Sequence, residues 1–191
     1  MKRVALVTAI LAMAAPLAMA QTSTWTSDPM HSEVDFTILH LGVSNVHGRF
    51  GHVTATIALN DSDITKSSVN ASIDVTGVST GETPRDNHLK TPDFFDAASF
   101  PTATFVSTGV ARSGNKLLVA GNLTLHGVTK PVVLEAEGPT GPVPGMDKKQ
   151  HAGFSATTII KRSDFGIGGK FPSAMVGDEV KLAIELDVAK Q

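Results

Sequence analysis

The chain has 191 residues, 41% of them apolar, and a formal net charge of −2 at pH 7. It carries no basic cluster, which argues against a nucleic-acid partner. Zero cysteines remove thiolate catalysis, Cys-type zinc sites and disulfide staples together, so stability must come from a buried core.

In chain order, the first segment reads as an address. Lys2 and Arg3 precede an apolar run from Val4 to Leu17, and Ala18-Met19-Ala20 supplies a small-x-small cleavage site before Gln21. The run is short for a membrane span and has no stop-transfer flank. No cysteine follows it, which excludes a lipid anchor. Cleavage between Ala20 and Gln21 is expected to release an exported, soluble domain of residues 21–191, without stable membrane insertion. Its charge is about −4 with neutral histidine, and its length suits one domain.

From Val34 onward, apolar and polar residues alternate in strand-length runs. Val34, Phe36 and Ile38 alternate with Glu33, Asp35 and Thr37; Val53, Ala55, Ile57 and Leu59 with His52, Thr54 and Thr56; Val69, Ala71, Ile73 and Val75 with Asn70, Ser72, Asp74 and Thr76. In the last run Val180, Leu182, Ile184, Leu186 and Val188 flank Lys181, Glu185 and Asp187. Period two buries one face and wets the other, whereas a parallel sheet buried on both faces would read as continuous apolar runs. Eight strands are predicted, near 31–40, 51–59, 68–77, 102–111, 116–125, 130–138, 151–161 and 179–189.

Turn formers at Asn60 to Asp63, Ser113 to Asn115 and His126 to Thr129 join several neighbours closely, which favours an antiparallel meander that closes on itself. The expected fold is therefore all-β, one eight-stranded antiparallel barrel with short helical inserts. A bore of that size is filled by side chains or holds one small ligand. Thr83-Pro84 and Thr91-Pro92 carry helix-start signals and predict two helical turns, Pro84 to Lys90 and Pro92 to Ala97. Gly42 to Arg49 reads as a bend or a single helical turn, and Gly138 to Gln150 as a mobile surface loop.

Chemistry-bearing residues are sparse. His31, Glu33 and Asp35 share the outward parity of their strand and read as a wet polar face. His47, His52, His126 and His151 have no ligand spacing, so neither metal nor cofactor is expected. No nucleophile elbow, metalloprotease helix or phosphate loop occurs, and no catalytic residue is assigned. His40 has inward parity at a strand end, where it either lines a barrel mouth or caps the strand. Arg85, Asp86 and His88 form the densest polar group. They either tie the insert to the sheet through charge-assisted hydrogen bonds or form a collar that orients a ligand head group. Phe94, Phe95, Phe100 and Phe105 read as a plug of core aromatics rather than a binding box.

Several motifs occur in one order: Trp25-x-x-Asp28, His31-Ser32, Phe36-x-x-x-His40, Val46-x-Gly48-x-Phe50, Arg85-Asp86-x-His88-Leu89, Asp93-Phe94-Phe95-Asp96 and Phe100-Pro101. Phe105-x-Ser107, Gly121-x-Leu123-x-Leu125-x-Gly127, Phe154 and Arg162-x-Asp164-Phe165-Gly166 follow. The ordered set, from Trp25 to Val188, resembles the YceI-like family. That resemblance implies a lipocalin-like, periplasmic barrel, dimeric in some members, enclosing a long-chain isoprenoid or other apolar lipid. It places the tail against inward positions: Phe36, Ile38, Ile57, Ile73, Phe105, Leu123, Phe154 and Ile184. Head-group contacts fall to His40, Arg85, His88 and Arg162. The leading expectation is a periplasmic carrier that sequesters a polyisoprenoid or isoprenoid-quinone type of amphiphile; a self-filled barrel acting as an envelope stress or interaction protein is the alternative.

Overall fold

A computed structural model describes residues 22–191. The expected leader and its cleavage site lie outside the described residues. Among the described residues ten strands and one α-helix are formed: β1 (Thr22–Ser27), β2 (Glu33–His40), β3 (Ser44–Arg49), β4 (Val53–Asn60), β5 (Ser68–Asp74), α1 (Thr83–Leu89), β6 (Thr102–Ser113), β7 (Lys116–Leu125), β8 (Val128–Pro144), β9 (Gln150–Lys161) and β10 (Val176–Lys190).

Ten strands make eight staves. The hydrogen-bonded order is β1-β4-β5-β6-β7-β8-β9-β10-β2-β3, and β10 also pairs with β1. β1 and β2 are successive stretches along the same side of β10, with Ser27 beside Val188 and Glu33 beside Glu185. β3 and β4 follow each other likewise along β2 and β1, and the Phe50 amide spans their break by donating to the Val34 carbonyl at 3.0 Å. Counted as staves, the sheet is a closed eight-stranded barrel whose neighbouring strands all pair antiparallel.

Four expectations need correction. β1 is a strand that alternation did not signal. Gly42 to Arg49 contains β3 rather than a helical turn. The supposed loop from Gly138 to Gln150 is mostly strand: β8 runs through Pro144 and β9 begins at Gln150. Pro139 and Pro142 sit where the β8–β9 ladder is interrupted, with register shifts between Glu137 and Thr140 and between Thr140 and Val143, while Pro144 ends β8 opposite Gln150; interruptions and strand ends are the positions in a sheet that tolerate a missing N–H. Finally, α1 covers the first expected helical insert, with Glu82 rather than Thr83 at its N-cap, but residues 92–97 form consecutive turns without a helix.

The inward parity holds throughout. Val34, Phe36, Val53, Ala55, Ile57, Leu59, Ile73, Phe105, Leu123 and Leu182 are buried in the core, while Glu185 and Lys181 are exposed. Gly48 and Gly121 are required by close packing: a Cβ on Gly48 would lie 2.2 Å from Phe36 Cζ, and one on Gly121 2.3 Å from Phe105 Cζ. Both phenylalanine rings therefore occupy the space over a glycine of the neighbouring strand.

Candidate ligand-binding site

Side chains of inward parity do not fill this barrel. Val69, Ala71, Ile184 and Leu186 are only partly buried, and all four line an interior cavity of about 140 Å³. Their residual exposure faces a hollow, not bulk water. A second cavity of about 320 Å³ lies above it. Val34, Ile73, Leu123 and Leu182 line both, so the two chambers meet at a common waist.

The chambers differ chemically. The lower one is walled by aliphatic and aromatic groups, with Ser67, Ser68 and Thr158 as its polar residues and no ionisable side chain. Trp25 closes the barrel nearby, packed with Ile57, Leu59, Ala152 and Val188, its indole N–H donating to Ser23 Oγ at 2.9 Å. The upper chamber adds Thr80, Arg85, His88, His40 and Arg162 to its apolar wall. Ionisable groups are therefore available only above.

All twelve residues expected at the site line one chamber or the other. Phe36, Ile38, His40, Arg85, His88 and Arg162 belong to the upper chamber, Ile57, Phe105, Phe154 and Ile184 to the lower, and Ile73 and Leu123 to both. Their roles are not all as expected. His40 is exposed at the end of β2 and lines the mouth. Arg162 is buried at 5% exposure, and its guanidinium is fully committed: Nε donates to the Gly177 carbonyl, Nη1 to those of Ile167 and Gly168, and Nη2 to those of Phe171 and Val176, at 2.7–3.0 Å. Five donors meet five carbonyls, the full capacity of an arginine. Arg162 thus shapes the 166–177 segment at the rim and has no N–H left for a head group.

Arg85 and Asp86 tie the insert down. Asp86 accepts from the Thr80 amide at 2.7 Å, Thr80 Oγ1 at 2.5 Å and Ser79 Oγ at 3.1 Å. Those hydrogen bonds hold its carboxyl below the ordinary carboxylate value, Thr80 contributing most. Ser79 exchanges both backbone hydrogen bonds with Arg49 at the end of β3, each 2.8 Å. Arg85 donates from Nε to Thr80 Oγ1 and from Nη2 to the Thr80 carbonyl, so the tie and the mouth lining are carried by the same helix.

An aromatic collar completes the upper chamber and was not read from the sequence. Phe94 stacks on Phe171 with centroids 4.9 Å apart, His88 meets both rings edge-on, and Phe36, Phe50 and Phe95 form a second chain of contacts at 5.4–5.5 Å. Phe94 and Phe95 are buried, as a plug would be, yet they also line the cavity. Phe100 lies apart, against His126. His88 reaches Asp93 at 3.3 Å, and Asp93 also takes an ion pair from Lys170; the Lys170 bond first, then His88, lowers the Asp93 carboxyl below its usual value.

Known proteins share this architecture. Protein YceI of Escherichia coli is 40% identical over 163 residues, spanning 84% of this chain and 83% of its own. The crystal structure of Burkholderia cenocepacia BcnA superposes with a TM-score of 0.76 at 27% identity, covering 84% of this chain and 98% of that one. A polyisoprenoid binding domain from Saccharophagus degradans has the same fold, with a TM-score of 0.65 over 90% of this chain and all of its own, at 15% identity. The family profile described as the YceI-like domain matches residues 25–188, and the chain belongs to that family.

Proposed function

We propose that this protein is an exported, periplasmic carrier that sequesters a long-chain apolar amphiphile of the polyisoprenoid or isoprenoid-quinone type. The carrying observation is the hollow, two-chamber bore, predominantly apolar below, with ionisable groups only toward its mouth. The polyisoprenoid binding of a domain with the same fold supports the choice of lipid. Burying a five-carbon isoprene unit is worth roughly 4 kcal/mol before ordering costs, at about 0.8 kcal/mol per CH₂-sized group. A few units would approach the practical ceiling of about 18–21 kcal/mol, so tail length and bore shape govern affinity while the mouth orients the head.

The tail lies along Ile57, Ile73, Phe105, Leu123, Phe154 and Ile184, and the head rests near His40, Arg85 and His88. Arg162 frames the rim instead of touching the head. The protein acts by binding: at its mouth Arg85 is committed to Thr80, His88 to Asp93 and Arg162 to backbone carbonyls. Displacement of a fluorescent long-chain probe from delipidated protein by a series of polyprenyl alcohols tests the reading. Affinity that rises with tail length and then levels off is expected; no displacement by any of them would favour a self-filled interaction protein. N-terminal sequencing of protein from the native envelope tests export, with Gln21 expected first and a retained Met1 contradicting it.

A further inference from the structure

We propose that the outer face of the barrel, away from the mouth, carries a divalent transition-metal site formed by Asp28, His31 and Asp187. The sequence groups His31 with Glu33 and Asp35, but the fold separates them: both carboxylates pair with Arg49, at 2.9 and 2.8 Å. His31 turns instead to the break between β1 and β2. There its Nδ1 lies 2.7 Å from Asp28 Oδ2, and Asp187 of β10 completes a set whose donor atoms all fall within 4.8 Å of one another.

The frame under this set is fixed by backbone. The Ser32 hydroxyl accepts from the Asp187 amide and donates to the Asp187 carbonyl, both at 3.1 Å. The Asp28 amide donates to that same carbonyl at 2.8 Å. Asp28 Oδ1 takes the Met30 amide at 2.8 Å, leaving Oδ2 facing His31. His151 bonds Asp187 Oδ1 at 2.6 Å through Nδ1 and Asp147 through Nε2 at 3.1 Å. That arrangement orients a ligating carboxylate from behind, so His151 is a positioning residue.

One imidazole nitrogen and two carboxylate oxygens suit Zn²⁺ or Mn²⁺. Donors about 2.0–2.2 Å from a tetrahedral ion are roughly 3.3–3.6 Å apart, within the 4.8 Å that encloses the three donor atoms here. Three protein ligands leave a fourth position, and the site adjoins an open recess of about 470 Å³ lined by His31, His151, Asp187, Glu137 and Glu185. Carboxylates outnumber imidazoles around it, which attracts a dication.

Calorimetric titration of the untagged, exported form with ZnCl₂ tests the proposal. One-to-one saturable binding is expected, weakened more than about 100-fold by His31→Ala or Asp187→Asn, by about 10- to 100-fold by His151→Ala, and unchanged by His47→Ala. With Co²⁺ as the probe, His151→Ala should also alter the visible absorption of the bound ion, which a purely structural role would not. His31 is exposed, so His31→Ala keeps the fold and its metal-free melting temperature. Absence of saturable binding to the wild type, or His31→Ala binding Zn²⁺ as tightly as the wild type, overturns the site.

Discussion

Ala71→Phe probes the lower chamber from inside. Ala71 is flanked by inward Val69 and Ile73, pairs with Ala55 and Phe105 on its neighbours, and lines the cavity of about 140 Å³. The substitution adds six carbons, about the bulk of one isoprene unit. Excluding one unit removes roughly 4 kcal/mol of gross burial at about 0.8 kcal/mol per CH₂; with ordering costs cancelling about half, the net loss is about 2 kcal/mol, or roughly 30-fold in Kd. That loss applies only to tails long enough to reach below the waist. The assay is a chain-length series by probe displacement on wild type and variant, with thermal unfolding recorded beside it. Short tails should bind both alike and long tails should discriminate. If the barrel were self-filled, overpacking would instead cost about 1–3 kcal/mol of stability at every chain length. A folded variant that binds all lengths as wild type does would refute the placement of the tail.

Three further predictions use other parts of the fold. Arg162→Lys leaves at least two of five carbonyls without a donor, because an ammonium has three N–H groups; denaturant melts should show a loss of about 2–4 kcal/mol, and a change in ligand affinity at unchanged stability would return Arg162 to the head group. Ile184→Asp puts a carboxyl into the apolar bore and should cost several kcal/mol, whereas Glu185→Lys on the outer face should stay within about 0.5 kcal/mol; equal losses would invalidate the assignment of faces. The Asp86 carboxyl is lowered in the fold from an ordinary value near 3.8. Its contribution is therefore present above that value and is lost as pH falls below it, through the lower value in the folded protein. Ligand release on acidification below about pH 4 should accordingly be shallower in Asp86→Asn, measured by probe fluorescence, and an identical profile would detach the Thr80 tie from the mouth.

Parity was legible because it needs no element boundaries. Phe36, Ile57, Ile73, Phe105, Leu123, Phe154 and Ile184 could be placed inside from alternation or from the ordered motifs, and the structure puts each on a chamber wall. β1 was not legible, since in Thr22–Ser27 only Ser23 and Trp25 are buried, and a serine gives no apolar beat. β3 failed for a related reason: facing inward it offers Val46 and Gly48, and the glycine is there to admit the Phe36 ring. The proline-rich end of β8 reads as loop by composition, yet a strand accommodates it at ladder interruptions. Arg162 was a sound candidate by residue type alone. Its commitment to backbone carbonyls depends on how residues 166–177 fold over it, and the collar of Phe50, Phe94, Phe95 and Phe171 depends equally on the path of the insert. Neither path has a periodic signal.

The central claim is that the hollow bore holds one long apolar lipid. Native mass spectrometry of protein purified without detergent from its own envelope, followed by identification of the organic extract, tests it most directly. A single adduct at one-to-one stoichiometry, released as a long-chain isoprenoid or comparable amphiphile, is the expected result. A folded, monodisperse protein at its bare polypeptide mass, with nothing recovered in the extract, would contradict it.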